Sequence, residues 1–377
     1  MSVSAPQPYE VAVADQDLDG LRARLRATRW DPNPGPGWEF GGNQTYLREL
    51  CSYWAEEYDW RALEGRINAL ENFRWDGIHF IYVRADGGGG SGGKLPIVLL
   101  HGWPGGPIEF LELIPLLSAG GHDVIVPSLP GYAFSGAPDP PLNVAGISGR
   151  LIDLLRDGLG LERVIIQGGD WGAIIGPRIA YDAPDLVAGI HVNAAFALPI
   201  PANLSDPPLS EAEQAYAQEG MRSMRREGYH LVPQGRAPDA MAPGMLDSPA
   251  GQAAWLVEKY RSWSDCGGEI ERRFSKRQTC DLLTLYWVTG TIGSSMRLYA
   301  AEARDRWRLS EGETIGVPAA VADFPIELLR PPREWVERNL TDLRSWTEMP
   351  SGGHFAAIEE PELLGADVLA FAATLAD

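Results

Sequence analysis

Arg163-Val-Ile-Ile-Gln-Gly-Gly-Asp-Trp-Gly-Ala-Ile-Ile-Gly176 decides how the rest of the chain is read. Val164, Ile165 and Ile166 form a β-branched run of the kind that fills a buried parallel strand. A glycine-rich corner follows, and Ala173, Ile174 and Ile175 then begin a helical apolar pattern. Strand, tight turn and helix in that order form a corner on which a nucleophile is displayed between two small residues. Gly168 and Gly172 take the small positions, so the displayed residue is Asp170. A serine there would mean a serine hydrolase, whereas an aspartate forms an alkyl ester on its own carboxylate. Asp170 also reads as the N-cap of the following helix, and the short motif alone does not separate the two. A dinucleotide loop is excluded, because glycines at 168, 169, 172 and 176 miss the G-x-G-x-x-G spacing.

Composition narrows the field without choosing within it. The 377 residues suffice for one large domain with insertions or for two domains. With 32 Lys and Arg against 51 Asp and Glu, the formal charge of −19 repels nucleic acid and anionic lipid. Cys51, Cys266 and Cys280 are too scattered for a disulfide framework and form no CxxC pair for zinc. The first residues lack the basic and apolar regions of a secretory signal, and nowhere do 18 apolar residues run together. The expectation is a reduced, soluble, cytoplasmic protein needing no metal or cofactor. A homodimer is allowed by the sequence but not dictated by it.

Along the chain, helical patterns cover 9–30, about 44–57 and about 60–70, and a strand covers 78–83. The glycine run 87–93 reads as a flexible hairpin connection. From residue 96 strands and helices alternate, with strands at 97–100, 123–129, 163–168 and 187–193 and helices at 107–118 and 144–159. That rhythm implies a parallel sheet with helices on both faces. It breaks at 196–310, a helical insertion rich in Trp and Tyr, and returns with a strand at 318–324 and a last helix at 361–375. The division is an N-terminal wrapping extension (1–84), a core in two parts (85–195 and 311–377) and a helical cap (196–310).

An ester on Asp170 needs a base to activate water. His354, in the loop Ser351-Gly352-Gly353-His354-Phe355 before the last helix, fits that role. His79, His101, His122 and His191 belong to strand patterns or their ends, and His230 lies in the insertion. The base needs an acidic partner, which Glu327 supplies after the strand 318–324; nearby Asp323 reads as a cap or turn residue. The other acid position, after strand 187–193, holds Asn193, which carries no charge. Oxyanion donors are expected from the backbone N–H groups of Trp103 and Trp171.

These parts resemble a known family. His101-Gly102-Trp103-Pro104, Gly169-Asp170-Trp171-Gly172, Phe324-Pro325-Ile326-Glu327 and Gly352-Gly353-His354-Phe355 are similar to the microsomal-type epoxide hydrolases of the α/β-hydrolase superfamily. Trp30, Tyr53-Trp54, Tyr58-Asp59-Trp60 and Ile78-His79-Phe80-Ile81 resemble that branch's N-terminal extension, so the likeness spans nearly the whole chain. It departs in having no membrane-anchoring segment ahead of residue 10. The resemblance implies an α/β-hydrolase fold and conversion of an epoxide to a vicinal diol, with epoxide and water as the partners. It further implies two tyrosines on the cap that hold the epoxide oxygen, matched by motif to Tyr229 and Tyr299. Taken without the family, either tyrosine reads as a packed aromatic. Cap aromatics suit a bulky or aromatic epoxide, met in detoxification or in the biosynthesis of enediyne-type natural products. Two alternatives stand beside this one: haloalkane or haloacid dehalogenation with the same Asp–His pair, and a catalytically silent binding module on the same fold.

Overall fold

Apolar runs with no polar side set the order of the sheet. The computed structural model describes residues 5–85, 94–202, 204–205 and 207–375; the glycine run 87–93 lies outside them. The strands are β1 (Gln7–Pro8), β2 (Glu71–Trp75), β3 (Ile78–Val83), β4 (Ile97–Leu100), β5 (Val124–Pro127), β6 (Val164–Gly168), β7 (Val187–Val192), β8 (Ala319–Asp323) and β9 (Leu343–Glu348). Among the described residues they form one sheet, ordered β1-β2-β3-β5-β4-β6-β7-β8-β9. From β5 through β9 neighbours are parallel, while β1, β2 and β3 add an antiparallel edge against β5. Every residue of β4, β5, β6 and β7 is buried, as expected where helices cover both faces. This is the α/β-hydrolase architecture the sequence leads one to expect.

The sequence pattern misses the strands at the periphery. Glu71–Trp75 mixes exposed, half-buried and buried residues over only five positions without alternating, and Leu343–Glu348 is a half-exposed edge strand. Both are too short or too polar for periodicity to single out. The first helix runs only over Asp15–Arg26, because Gln7 and Pro8 are drawn into the sheet edge opposite Arg74 and Phe73. The helical pattern at 107–118 divides into a 3₁₀ turn, Pro107–Phe110, and a helix, Leu113–Ala119.

Between β7 and β8 the chain passes through helices that include Glu211–Arg226, Pro249–Trp263, Lys276–Thr289 and Ile292–Arg304. Buried polar groups tie this insertion to the rest. Trp54 Nε1 donates to Thr284 Oγ1 at 2.8 Å, and the Tyr58 hydroxyl donates to Asp281 at 2.8 Å, joining the N-terminal helices to the insertion. The hydroxyls of Tyr260 and Tyr286 donate to the Pro104 and Gly105 carbonyls at 2.8 and 2.9 Å. Two insertion helices therefore brace the loop after β4, whose backbone contributes to the site. Among the described residues no helix is long and apolar enough to cross a membrane.

Candidate active site

Asp170 sits at the corner between β6 and the helix Gly172–Asp182 with φ of +50°, a backbone angle rarely adopted by a side-chain-bearing residue. The turn closes only because its flanks are glycine. A Cβ on Gly172 would enter the Leu100 carbonyl oxygen, and one on Gly168 would enter the Gly172 backbone. Gly172→Ala is therefore expected to destabilise the fold by about 1–3 kcal/mol or more, since backbone cannot give way as a side chain can. Thermal or urea unfolding of the variant measures this; an unchanged midpoint would show that the corner relaxes freely.

The carboxylate of Asp170 does not serve mainly as a helix cap. Its Oδ1 accepts the Trp103 backbone N–H at 2.8 Å, so it faces the loop after β4. His354 Nε2 lies 3.4 Å from Oδ2, and His354 Nδ1 lies 2.7 Å from Glu327 Oε1. Glu327 Oε1 also accepts the Leu328 N–H at 2.8 Å. Asp323, the competing acid, is held at 2.8 Å by Arg330. The structure thus brings Asp170, His354, Glu327, Trp103 and Trp171 into one constellation.

Its electrostatics follow from burial and neighbours. Burial favours the neutral acid, yet His354 and the Trp103 and Trp171 amides hold Asp170 below its ordinary value, so it is ionised. Burial likewise disfavours a charged His354, but the Glu327 and Asp170 carboxylates hold it well above the usual imidazole range. Burial, reinforced by Asp170, pushes the Tyr299 phenol well above 10, so it stays protonated.

Two cavities meet at Asp170. One, of about 340 Å³, is walled by Asp170, Trp171, Phe196, His230, Trp263 and Tyr299, with apolar groups such as Leu328 and Met224 farther out. The Tyr299 ring packs edge-on against Trp171 at 4.7 Å and Trp103 at 5.8 Å between centroids. The other cavity, about 20 Å³, has room for one water and is lined by Asp170, His354, Asn193 and Glu109. Desolvation pushes the Glu109 carboxyl up to about 8, so at neutral pH it is a hydrogen-bond donor as well as an acceptor.

Tyr229 departs from expectation. Its hydroxyl donates to Glu258, Lys259 Nζ lies 3.5 Å from its ring centroid, and the residue is 40% exposed. The neighbouring His230 instead turns into the large cavity. Both residues lie on one 3₁₀ turn, Gly228–His230, where adjacent side chains point about 120° apart. A shift of one position in matching the motif therefore exchanges the residue facing the pocket for one facing away. The remaining histidines are accounted for structurally: His79 by Asn72 and Ser128, His101 by Leu129, His122 by Leu95 and His191 by Asp367.

Comparison with known proteins agrees with this geometry. Residues 6–110 match the family model described as epoxide hydrolase N terminus, and residues 96–227 match that of the alpha/beta hydrolase fold. A Stigmatella aurantiaca chain carrying a provisional epoxide-hydrolase name is 39% identical over 372 residues, covering 94% of this chain and 82% of its own. Epoxide hydrolase 1 of Oryctolagus cuniculus is 32% identical over 400 residues, covering 97% and 88%. The crystal structure of juvenile hormone epoxide hydrolase from Bombyx mori superposes with a TM-score of 0.85 at 30% identity, covering 99% and 94%. Identity of this order over more than nine-tenths of this chain and more than four-fifths of each relative makes this protein an enzyme of the epoxide hydrolase family, built on the α/β-hydrolase fold.

Proposed function

We propose that the enzyme hydrolyses its epoxide through a covalent ester on Asp170. The observation that carries this reading is the orientation of the Asp170 carboxylate. It is ionised, faces the large cavity, and has His354 at 3.4 Å on its far oxygen. In the first step Asp170 attacks a ring carbon from the side opposite the C–O bond. Tyr299, a neutral phenol in the cavity wall, donates a hydrogen bond to the oxygen that is released. In the second step His354, oriented by Glu327, removes a proton from water, and the hydroxide attacks the ester carbonyl. The Trp103 and Trp171 amides hold the oxyanion, a contribution of about 3–4 kcal/mol per donor in comparable sites. A vicinal diol leaves and Asp170 is restored.

The cavity wall of Trp, Phe and Leu side chains suits a bulky apolar or aromatic epoxide. Detoxification or natural-product biosynthesis would each supply one. Family membership favours ring opening over halide displacement, and a chloride-release assay on haloalkanes separates the two directly.

Isotope position tests the covalent step. With enzyme in excess over styrene oxide in ¹⁸O water, the first turnover is expected to give unlabelled diol, with the label in the Asp170 carboxylate. Label in the diol from the outset would mean that water attacks the epoxide directly.

A further inference from the structure

Tyr299 alone does not complete the ring-opening half of the site, and the residue beside it differs in chemistry from the one the motif suggested. His230 is 5% exposed and lines the same cavity as Asp170 and Tyr299. Its ring stacks on Trp103 at 5.4 Å with an interplanar angle of 12°, touches Trp263 at 5.0 Å, and meets Tyr299 edge-on at 5.7 Å. Three aromatic contacts fix the plane of the imidazole against the loop after β4, whose Trp103 N–H reaches Asp170. Nδ1 lies 3.2 Å from the Glu227 carbonyl oxygen, which can only accept, so the neutral ring keeps its proton on Nδ1. Nε2, on the opposite edge, is left free of protein partners among the described residues.

We propose that His230 is the cap's second catalytic residue, protonating the epoxide oxygen through Nε2 while Tyr299 holds that oxygen by its hydroxyl. This deepens the covalent reading of Asp170 and rests on it. In the step, an Asp170 oxygen forms a bond to carbon and the ring C–O bond breaks with its electron pair on oxygen. That oxygen takes the Nε2 proton, and the neutral imidazole is reprotonated from water. Ester hydrolysis later releases one proton through His354, so the cycle consumes one water and no net proton. As an imidazolium the ring is satisfied at both ends, by the Glu227 carbonyl at Nδ1 and by the developing alkoxide at Nε2.

The surroundings set the pH at which this acid is charged. Burial and then Lys259 push His230 down, to about 4, and His354 adds to the effect. Asp170 and the Glu227 carbonyl act the other way. Glu258 is paired with Lys259, and Tyr299 remains a neutral phenol. Asp170 is held below its ordinary value, so it stays ionised while His230 gains its proton. Alkylation should therefore accelerate by about tenfold per unit as pH falls from 7 toward 5.

The test uses the full-length protein with native His354, whose imidazole helps hold Asp170 ionised, in excess over substrate so that a single turnover is followed. It is mixed with styrene oxide between pH 5 and 8 and quenched, and the loss of epoxide in the first turnover is followed with time. The expected result is a parent rate that rises toward acid. His230→Phe should be slower by about 10²-fold at pH 5, with a flat profile. His230→Gln, which keeps a polar side chain of similar reach but cannot carry the proton, should also lose the slope. Tyr229→Phe should follow the parent. The proposal is overturned if both His230 variants retain the parent's rate and slope, or if Tyr229→Phe loses them. First-turnover diol carrying ¹⁸O from labelled water would overturn the covalent reading itself, and this inference with it.

Discussion

Asp170→Asn protein, assayed immediately after purification, is expected to form neither diol nor a protein-bound ester. The loss should be on the order of 10⁴–10⁶-fold in kcat, as when a covalent nucleophile is removed from comparable machinery. Asn fills the same space, and its carbonyl oxygen can accept the Trp103 N–H, which donates to Asp170 Oδ1 at 2.8 Å in the native protein. Structure should therefore be preserved while the attacking oxygen loses its charge. Binding should survive, since the cavity wall of Trp171, Phe196 and Trp263 is untouched. Diol formation at the native rate would remove Asp170 from the chemistry. A slow return of activity on storage, accompanied by a mass increase of about one unit, would instead mark hydrolysis of the Asn amide back to aspartate. Intact-mass measurement on the assayed sample distinguishes these outcomes.

What was legible in the sequence divides along a physical line. The corner at Gly168–Gly172 was readable because backbone crowding leaves no choice of residue there, and glycine spacing is visible without a structure. Glu327 and His354 were readable by their order after successive strand ends, and they stand 2.7 Å apart. By contrast, the pocket-facing residue of the turn Gly228–His230 depends on rotation about a short 3₁₀ segment with no strand or long helix to fix its phase. Tyr229 and His230 are adjacent in sequence, but only packing decides which is buried. Glu109 was missed for a related reason. A glutamate in a helical pattern reads as solvated, and it is the insertion packed over neighbouring Pro104 and Gly105 that helps enclose its carboxyl. Long apolar strands and tight glycine corners are specified locally; the wall of the pocket is specified by docking.

His354→Gln should arrest the enzyme at the half-way point. Alkylation by Asp170 needs no base, so one equivalent of substrate is expected to add to the protein, visible as a mass increase equal to the epoxide, while diol release falls by on the order of 10³-fold or more. The wild-type charges explain why the two steps do not interfere. In the free enzyme His354 is raised by Glu327 and Asp170 together, so it is protonated near neutrality and supports the ionised nucleophile as an ion pair. Ester formation removes the charge on Asp170 and one of the causes that raise His354, leaving Glu327 as its only carboxylate partner at 2.7 Å. The imidazole pKa then falls, and the ring is released to act as a base at the moment the ester needs one. The sign for pH follows from this. A raised imidazole pKa keeps the inactive, protonated base present to higher pH, so ester hydrolysis should rise as pH increases through the His354 pKa and then level off. That limb has the opposite slope to the alkylation limb attributed to His230, so overall turnover should peak between them. Single-turnover measurements that follow ester formation and ester decay separately across pH would resolve the two slopes. Parallel pH dependence of both steps in the wild-type enzyme would contradict the assignment of separate proton donors and acceptors on the two sides of Asp170.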